Sequence, residues 1–259
     1  VVGSPSTADA PGGQGGEYHW REQPDDAGRD FGNSNAYATP TDVATFVRES
    51  AQNSKDQPAT PDAKVHIRFK VIELRRGSPE FDAFTRAARL DDLKGHLASA
   101  AKERAKLASR LREGLRRLED ADNLVLVRVD DYDTTGLFGE EAGDTGPFCA
   151  LVRDNLNSSK IITTAAGSFG VGKAVLWRSS DISTVFAASQ IAPDRSPDLN
   201  GKIRVVGKSE LTWHKCGGKP WAGPGWFGKP GTKGESLRVS ADDQLLRDLQ
   251  LDRSDLPEG

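Results

Sequence analysis

The run Leu124-Val125-Leu126-Val127-Arg128-Val129 constrains the fold more than any other stretch of this chain. Its β-branched and leucine residues favour an extended backbone. With so few polar interruptions, it predicts a strand buried on both faces. Such a strand needs packed layers around it, and the chain's motifs taken together imply an α/β fold. The strand runs into Asp130-Asp131-Tyr132-Asp133-Thr134-Thr135-Gly136-Leu137. Carboxylates at a strand end, ahead of a Thr-Thr-Gly turn, suit a ligand site, since an Asp there accepts a hydrogen bond from an exocyclic amine. The glycine lets a ligand approach the backbone closely. An Asp-capped turn is the purely structural alternative.

A chain of 259 residues can bury a sizeable core as one large domain or two small ones. Its net charge of −3 mixes both signs and implies no global field for a polyanion. Cys149 and Cys216 are the only cysteines, so no disulfide scaffold is expected, and a reducing cytoplasm is the default compartment. No apolar run approaches the length of a membrane span, and no signal peptide opens the chain. Methionine is absent even at the first position, which reads as a piece of a longer protein.

Residues 1–35, rich in Gly, Pro, Ser and Asp, read as a flexible arm. Thr41 to Asn53 reads as one amphipathic helix, capped by Asp42, with Val43, Phe46 and Val47 facing a core. Glu49 and Asn53 stand four apart and project from one face of it. An amide oxygen there can hold a hard cation such as Mg2+, and a carboxylate one turn away can polarise water beside it. A solvated helical face is the bland alternative. Val65 to Leu74 alternates apolar and polar residues, as a strand with one buried face does. Residues 80–119 read as helical, in two pieces around Gly95. The basic face at Lys102, Arg104, Lys106, Arg110, Arg112, Arg116 and Arg117 admits DNA contacts, but interleaved Glu103, Glu113 and Glu119 suit a solvated face.

A helix-like segment, Phe148 to Asn155, precedes Gly167-Ser168-Phe169-Gly170-Val171-Gly172-Lys173. Three glycines, a lysine and a following helix can cradle a phosphate. The spacing from Gly167 to Lys173 also fits a P-loop. However, Ala174 stands where that motif needs a hydroxyl for Mg2+, and the acidic strand precedes the loop. Strands are expected at Thr184–Ser189 and Ile203–Gly207, and a short helix at 241–251. The stretch from Trp213 to Lys229 reads either as a base-stacking loop or as an irregular insert with tryptophans against the sheet edge. His214 and Cys216 alone are too few to bind zinc.

In order, the chain carries E-x-x-x-N with Asp56, a strand ending in Asp and a glycine turn, and then a glycine-rich loop. This series resembles the GHKL ATPases (gyrase, the ninety-kilodalton heat-shock chaperone, histidine kinases and MutL) over roughly residues 35–190. The wording of its second and third motifs is most similar to a bacterial subgroup found in phage-defence and restriction gene clusters. The resemblance implies a Bergerat-type two-layer sandwich, with a mixed, largely antiparallel sheet covered by helices on one face. It implies an arm at 1–35, an ATP-binding domain at 36–210 with a lid at about 137–170, and a Gly/Trp-rich extension at 211–259. By this resemblance Glu49 would activate the attacking water, Asn53 would ligate Mg2+, and Asp56 would line the pocket near adenine. Asp131 would hold the adenine amine, with Asp130 as the other candidate, and Gly136 would shape the floor. Gly167, Gly170 and Gly172 would wrap the phosphates, and Lys173 would counter their charge. Gly139, Gly143 and Gly146 would supply lid hinges. The second motif departs from the family's D-x-G-x-G, because Asp133 replaces its first glycine and an extra residue precedes Gly136. The expected activity is Mg-dependent ATP hydrolysis that gates self-association or effector docking in a larger bacterial protein, in antiviral defence. The rival expectation is a nucleotide-binding or DNA-binding scaffold without turnover.

Overall fold

A computed structural model describes residues 15–24, 26–30, 42–103, 106–142, 145–154, 173–192, 194–195, 199 and 201–253. The element order is β1 (Glu17–Glu22), α1 (Val43–Lys55), β2 (His66–Arg75), α2 (Pro79–Ala87), α3 (Leu90–Ala100), α4 (Lys106–Asp120) and β3 (Asn123–Tyr132). A single π-helical turn, Cys149–Arg153, follows, then α5 (Ala174–Arg178), β4 (Thr184–Gln190) and β5 (Ile203–Ser209). The chain continues with β6 (His214–Cys216), β7 (Lys219–Gly228), β8 (Leu237–Val239) and α6 (Gln244–Asp248). Two antiparallel sheets form: a six-stranded one with the order β1-β7-β5-β4, carrying β6 on β7 and β8 on β5, and a two-stranded ribbon β2-β3.

The larger core packs the apolar stripes of α2, α3 and α4 on one side of the strands. Leu93, Leu97 and Leu111 are fully buried, and with Phe81, Phe84, Leu74, Val205 and Phe227 they form one cluster. Ser78 starts α2 by accepting from the Phe81 N–H at 3.2 Å, and Pro79 supplies a preset first helical position. A second cluster joins Phe148 and Val152, from the π turn and the residue before it, to Val206 and Trp226. Val205 and Val206, like Trp226 and Phe227, are chain neighbours that point to opposite faces of a strand. Each pair divides between the two clusters. Packed segments therefore lie on both faces of the sheet, where a single covered face was expected.

Other expectations are corrected as well. Residues 80–119 fold as three helices and not two, because the breaks fall elsewhere. Arg89, with φ +50°, separates α2 from α3. Gly95 sits inside α3, where the helix runs beside β6; an added Cβ would stand 3.6 Å from Cys216 Sγ. The strand 123–132 exists, but only its inner row is covered. Val125 and Val127 on the outer row are 55% and 57% exposed. The α1 helix begins as expected, with Asp42 Oδ1 accepting from the Thr45 N–H at 2.7 Å. Its buried side is different, however. Thr45, Ser50 and Ser54 face inward while Val43 is 78% and Val47 38% exposed. Ser54 Oγ donates to the Ser50 carbonyl at 3.3 Å, which satisfies a buried hydroxyl within the helix.

The stretch around Trp213–Lys229 is regular, not an irregular insert: β6 and β7 form a hairpin closed at Gly217-Gly218, both with positive φ. β7 lies between β1 and β5, so the lines drawn at 35/36 and 210/211 both cut through one hydrogen-bonded sheet. Among the described residues no helix is long and apolar enough to cross a membrane. Cys149 and Cys216 are both free thiols.

Candidate functional site

Backbone hydrogen bonds bring three distant segments together. The turn after β3 is stitched to the loop after α1: Ala59 N–H donates to the Asp133 carbonyl at 2.8 Å, and Thr135 N–H to the Gln57 carbonyl at 3.0 Å. The same turn is tied to β4, where Leu137 N–H donates to Ser189 Oγ at 2.8 Å. Gly136 sits at this junction with φ +67°. A Cβ there would stand 2.8 Å from Ser189 Oγ and 2.9 Å from the Gln190 carbonyl oxygen, so only glycine fits. The end of α1, the end of β3 and the edge strand β4 thus converge.

They enclose a cleft of about 1680 Å3 whose lining includes Glu49, Asn53, Asp56, Asp131, Gly136 and Lys173. All six of the expected site residues that fall within the described segments share this one cavity. Gly167, Gly170 and Gly172 lie outside the described residues, as does Gly143 of the expected hinge. Gly139 and Gly146 have φ of +107° and +97°, and Phe148 N–H donates to the Phe138 carbonyl at 3.1 Å to close the loop between them. The first part of the expected lid is therefore docked. Trp226 Nε1–H donates to the Val152 carbonyl at 3.0 Å, and Glu141 accepts from the Ser236 N–H at 3.0 Å and the Ser236 hydroxyl.

The two candidate aspartates differ in their surroundings. Asp130 is on the buried row, where its Oδ2 accepts from Arg68 at 2.8 and 3.0 Å and from Arg128 Nε at 3.1 Å. Arg128 also donates to the carbonyls of Gln250 and Asp252, each at 3.0 Å. Asp130 is thus committed to two guanidinium groups. Asp131, opposite Ile67, lies on the other row and is only partly buried. Asp56 is buried, and its Oδ1 accepts from Gln52 Nε2 at 3.0 Å. Glu49 pairs with the adjacent Arg48 at 3.2 Å, and Asn53 is exposed one turn further on.

Lys173 is not where the phosphate-cradle expectation puts its charge. Its Nζ donates to the carbonyls of Ala150 and Asp154, capping the end of the π turn. Burial, and then the nearby Lys208, lower its pKa to about 8. Lys208 on β5 was not singled out in the sequence. It is 3% exposed, lies under Trp177 of α5 at 5.4 Å from the ring centroid, and pairs with Glu210 at 2.5 Å. The available signal was a lysine directly after the run Ile203–Gly207, at a position whose parity matches buried Val206. Ser189 was missed for lack of any motif around it.

The basic face of α4 is largely engaged within the molecule. Arg110 donates to the Arg178 carbonyl and Arg112 to the Ala101 carbonyl, both at 2.6 Å. Arg116 and Arg117 share Glu113, and Arg117 also reaches Asp181 at 2.8 Å. No group of three or more His, Cys, Asp or Glu side chains suited to a metal occurs among the described residues. Comparison of the chain with protein-family models, curated proteins and solved structures gave no match.

Proposed function

We propose that this chain is an ATP-binding and ATP-hydrolysing module of the GHKL type, with a Bergerat-like site between α1 and the strands. The observation that carries the reading is the convergence of Glu49, Asn53, Asp56, Asp131, Gly136 and Lys173 on one cleft. These residues come from segments up to about 120 positions apart. The side chains present fit a magnesium nucleotide. Asp131 is a partly exposed acceptor for an exocyclic amine, and Gly136, packed closely against β4, lines the same cleft. Asn53 offers a hard amide oxygen to Mg2+, and Glu49 lies one turn away on the same helix to take a proton from water. The bound metal would supply charge neutralisation at the phosphates. For Glu49 to act as a base, its carboxylate must part from Arg48, a solvent-accessible pair of the kind that contributes little to stability.

By the same resemblance, the module would act as a nucleotide-gated switch in antiviral defence, its closed state favouring self-association or effector docking. Calorimetry with Mg-ATP on the wild-type chain and on Asp131→Ala tests the core of the reading. Loss of binding in the variant supports it. Undiminished binding moves the adenine contact away from β3, and absence of binding to the wild type overturns the proposal. A second reading, nucleotide binding without turnover, is favoured by the Glu49–Arg48 pair. Single-turnover hydrolysis by wild type and Glu49→Ala separates the two, since a module without turnover has no rate for the variant to lose.

A further inference from the structure

We propose that Lys208, and not Lys173, is the cation that receives a phosphate group in the cleft. The inference rests on the nucleotide reading above and assigns it a residue outside the motifs. Lys173 has its ammonium turned onto two main-chain carbonyls, where it holds the π turn together. Lys208 occupies the same cleft wall. It shares the sheet face of Val206, which packs with Phe148 and Val152. Its side chain is almost wholly buried, and the described residues give its ammonium one ionic partner, Glu210, plus the face of Trp177. An ammonium has three donors. One carboxylate leaves donor capacity at the floor of a cleft, a position that suits an anionic oxygen.

Glu210 is the more accessible partner, with 30% of its side chain exposed against 3% for Lys208. An incoming phosphate can therefore take the ammonium while Glu210 turns to water. Trp177 fixes the geometry, because its Nε1–H donates to the Lys208 carbonyl at 2.8 Å and holds α5 over this strand. The anion recognised is a phosphoryl group, from a nucleotide or from free tripolyphosphate. The two sources are separable by what else each engages, since only the nucleotide reaches Asp131.

The test is calorimetry of Mg-ATP, adenosine and tripolyphosphate on wild type, Lys208→Met, Lys208→Arg, Lys173→Met and Lys208→Met/Glu210→Gln. The double variant leaves no carboxylate unpaired, which guards against a folding defect; thermal unfolding checks each protein. The expected result is a loss of ATP affinity of about tenfold or more in both Lys208→Met proteins, as for a lost charge-assisted bond. Adenosine affinity should be unchanged, and Lys208→Arg should retain most ATP binding. ATP binding unchanged by Lys208→Met overturns the assignment while leaving the nucleotide site standing. Equal losses for ATP and adenosine also overturn it, since they indicate a structural role. A wild type that binds tripolyphosphate through Lys208 but neither ATP nor adenosine retains the anion site and removes the nucleotide reading. A wild type that binds none of the three removes both.

Discussion

Asp130 and Asp131 are neighbours with opposite duties, set by the alternation of a strand. Asp130 is buried between Arg68 and Arg128, so Asp130→Asn removes the counter-charge that both guanidinium groups share. It should cost on the order of 3 kcal/mol in chemical denaturation. Asp131→Ala, on the accessible row, should change stability by less than about 1 kcal/mol. A variant pair with equal costs would contradict the orientation of β3. Gly136→Ala forces a left-handed residue and a close contact with β4, and a loss of about 1–3 kcal/mol is expected from the same measurement. At this scale the sequence was informative where a residue's role is chemical and its neighbours are local: Asp42 capping α1 was legible. The choice between Asp130 and Asp131 was not, because it depends on Arg68, sixty-two positions away. Lys208 was hidden for the same reason, since its value comes from α5 and the π turn beside it.

At the scale of elements, β1 docks through a stack of aromatic rings. Trp20 lies parallel to His96 of α3 at 3.9 Å and edge-on to His214 at 5.7 Å. The Thr212 carbonyl accepts from His214 Nδ1–H at 2.8 Å, which leaves His214 Nε2 to accept from His96 Nδ1–H at 2.9 Å. Both rings are neutral in this arrangement. Burial first, and His214 second, pull the His96 pKa from 6.5 down to about 4, and burial likewise lowers that of His214. The unfolded chain takes up these protons near pH 6.5 and the folded one does not. The stabilisation is therefore complete above about pH 6.5 and is lost as pH falls through about 4. Denaturation midpoints between pH 7.5 and 4 should fall less steeply for His96→Gln than for wild type. Gly225 makes room for the Trp20 ring, which an added Cβ would approach to 2.5 Å. Gly225→Ala should therefore speed amide exchange in residues 17–22. These elements were unequally legible. Alternation marked β2, and short runs rich in β-branched and apolar residues marked β4 and β5, but β7 is written in Gly, Pro and Trp because rings and carbonyls crowd its backbone, and such a composition reads as loop. The position of α1 was legible and its facing was not: buried Thr45, Ser50 and Ser54 stand where a valine stripe was expected to pack.

For the whole molecule, the topology joins sequence ends that composition separates. β1 pairs with β7 from Glu17↔Gly228 to Glu22↔Trp221, although the first was read as arm and the second as extension. Deletion through Glu22 should expose the edge of β7, lower the midpoint of thermal unfolding and promote association in size-exclusion chromatography. A deletion that leaves both unchanged would mean β1 is dispensable. Composition could not reveal this, since strand partners so distant leave no local pattern. The same closure bears on how the protein is made. The partners of β1 are about 210 residues downstream, so a ribosome adding about 5–20 residues per second completes them roughly 10–40 s later. Throughout that interval Tyr18 and Trp20 have no sheet to lie on, and a nascent chain in which β1 meets another copy's β7 would exchange strands between molecules.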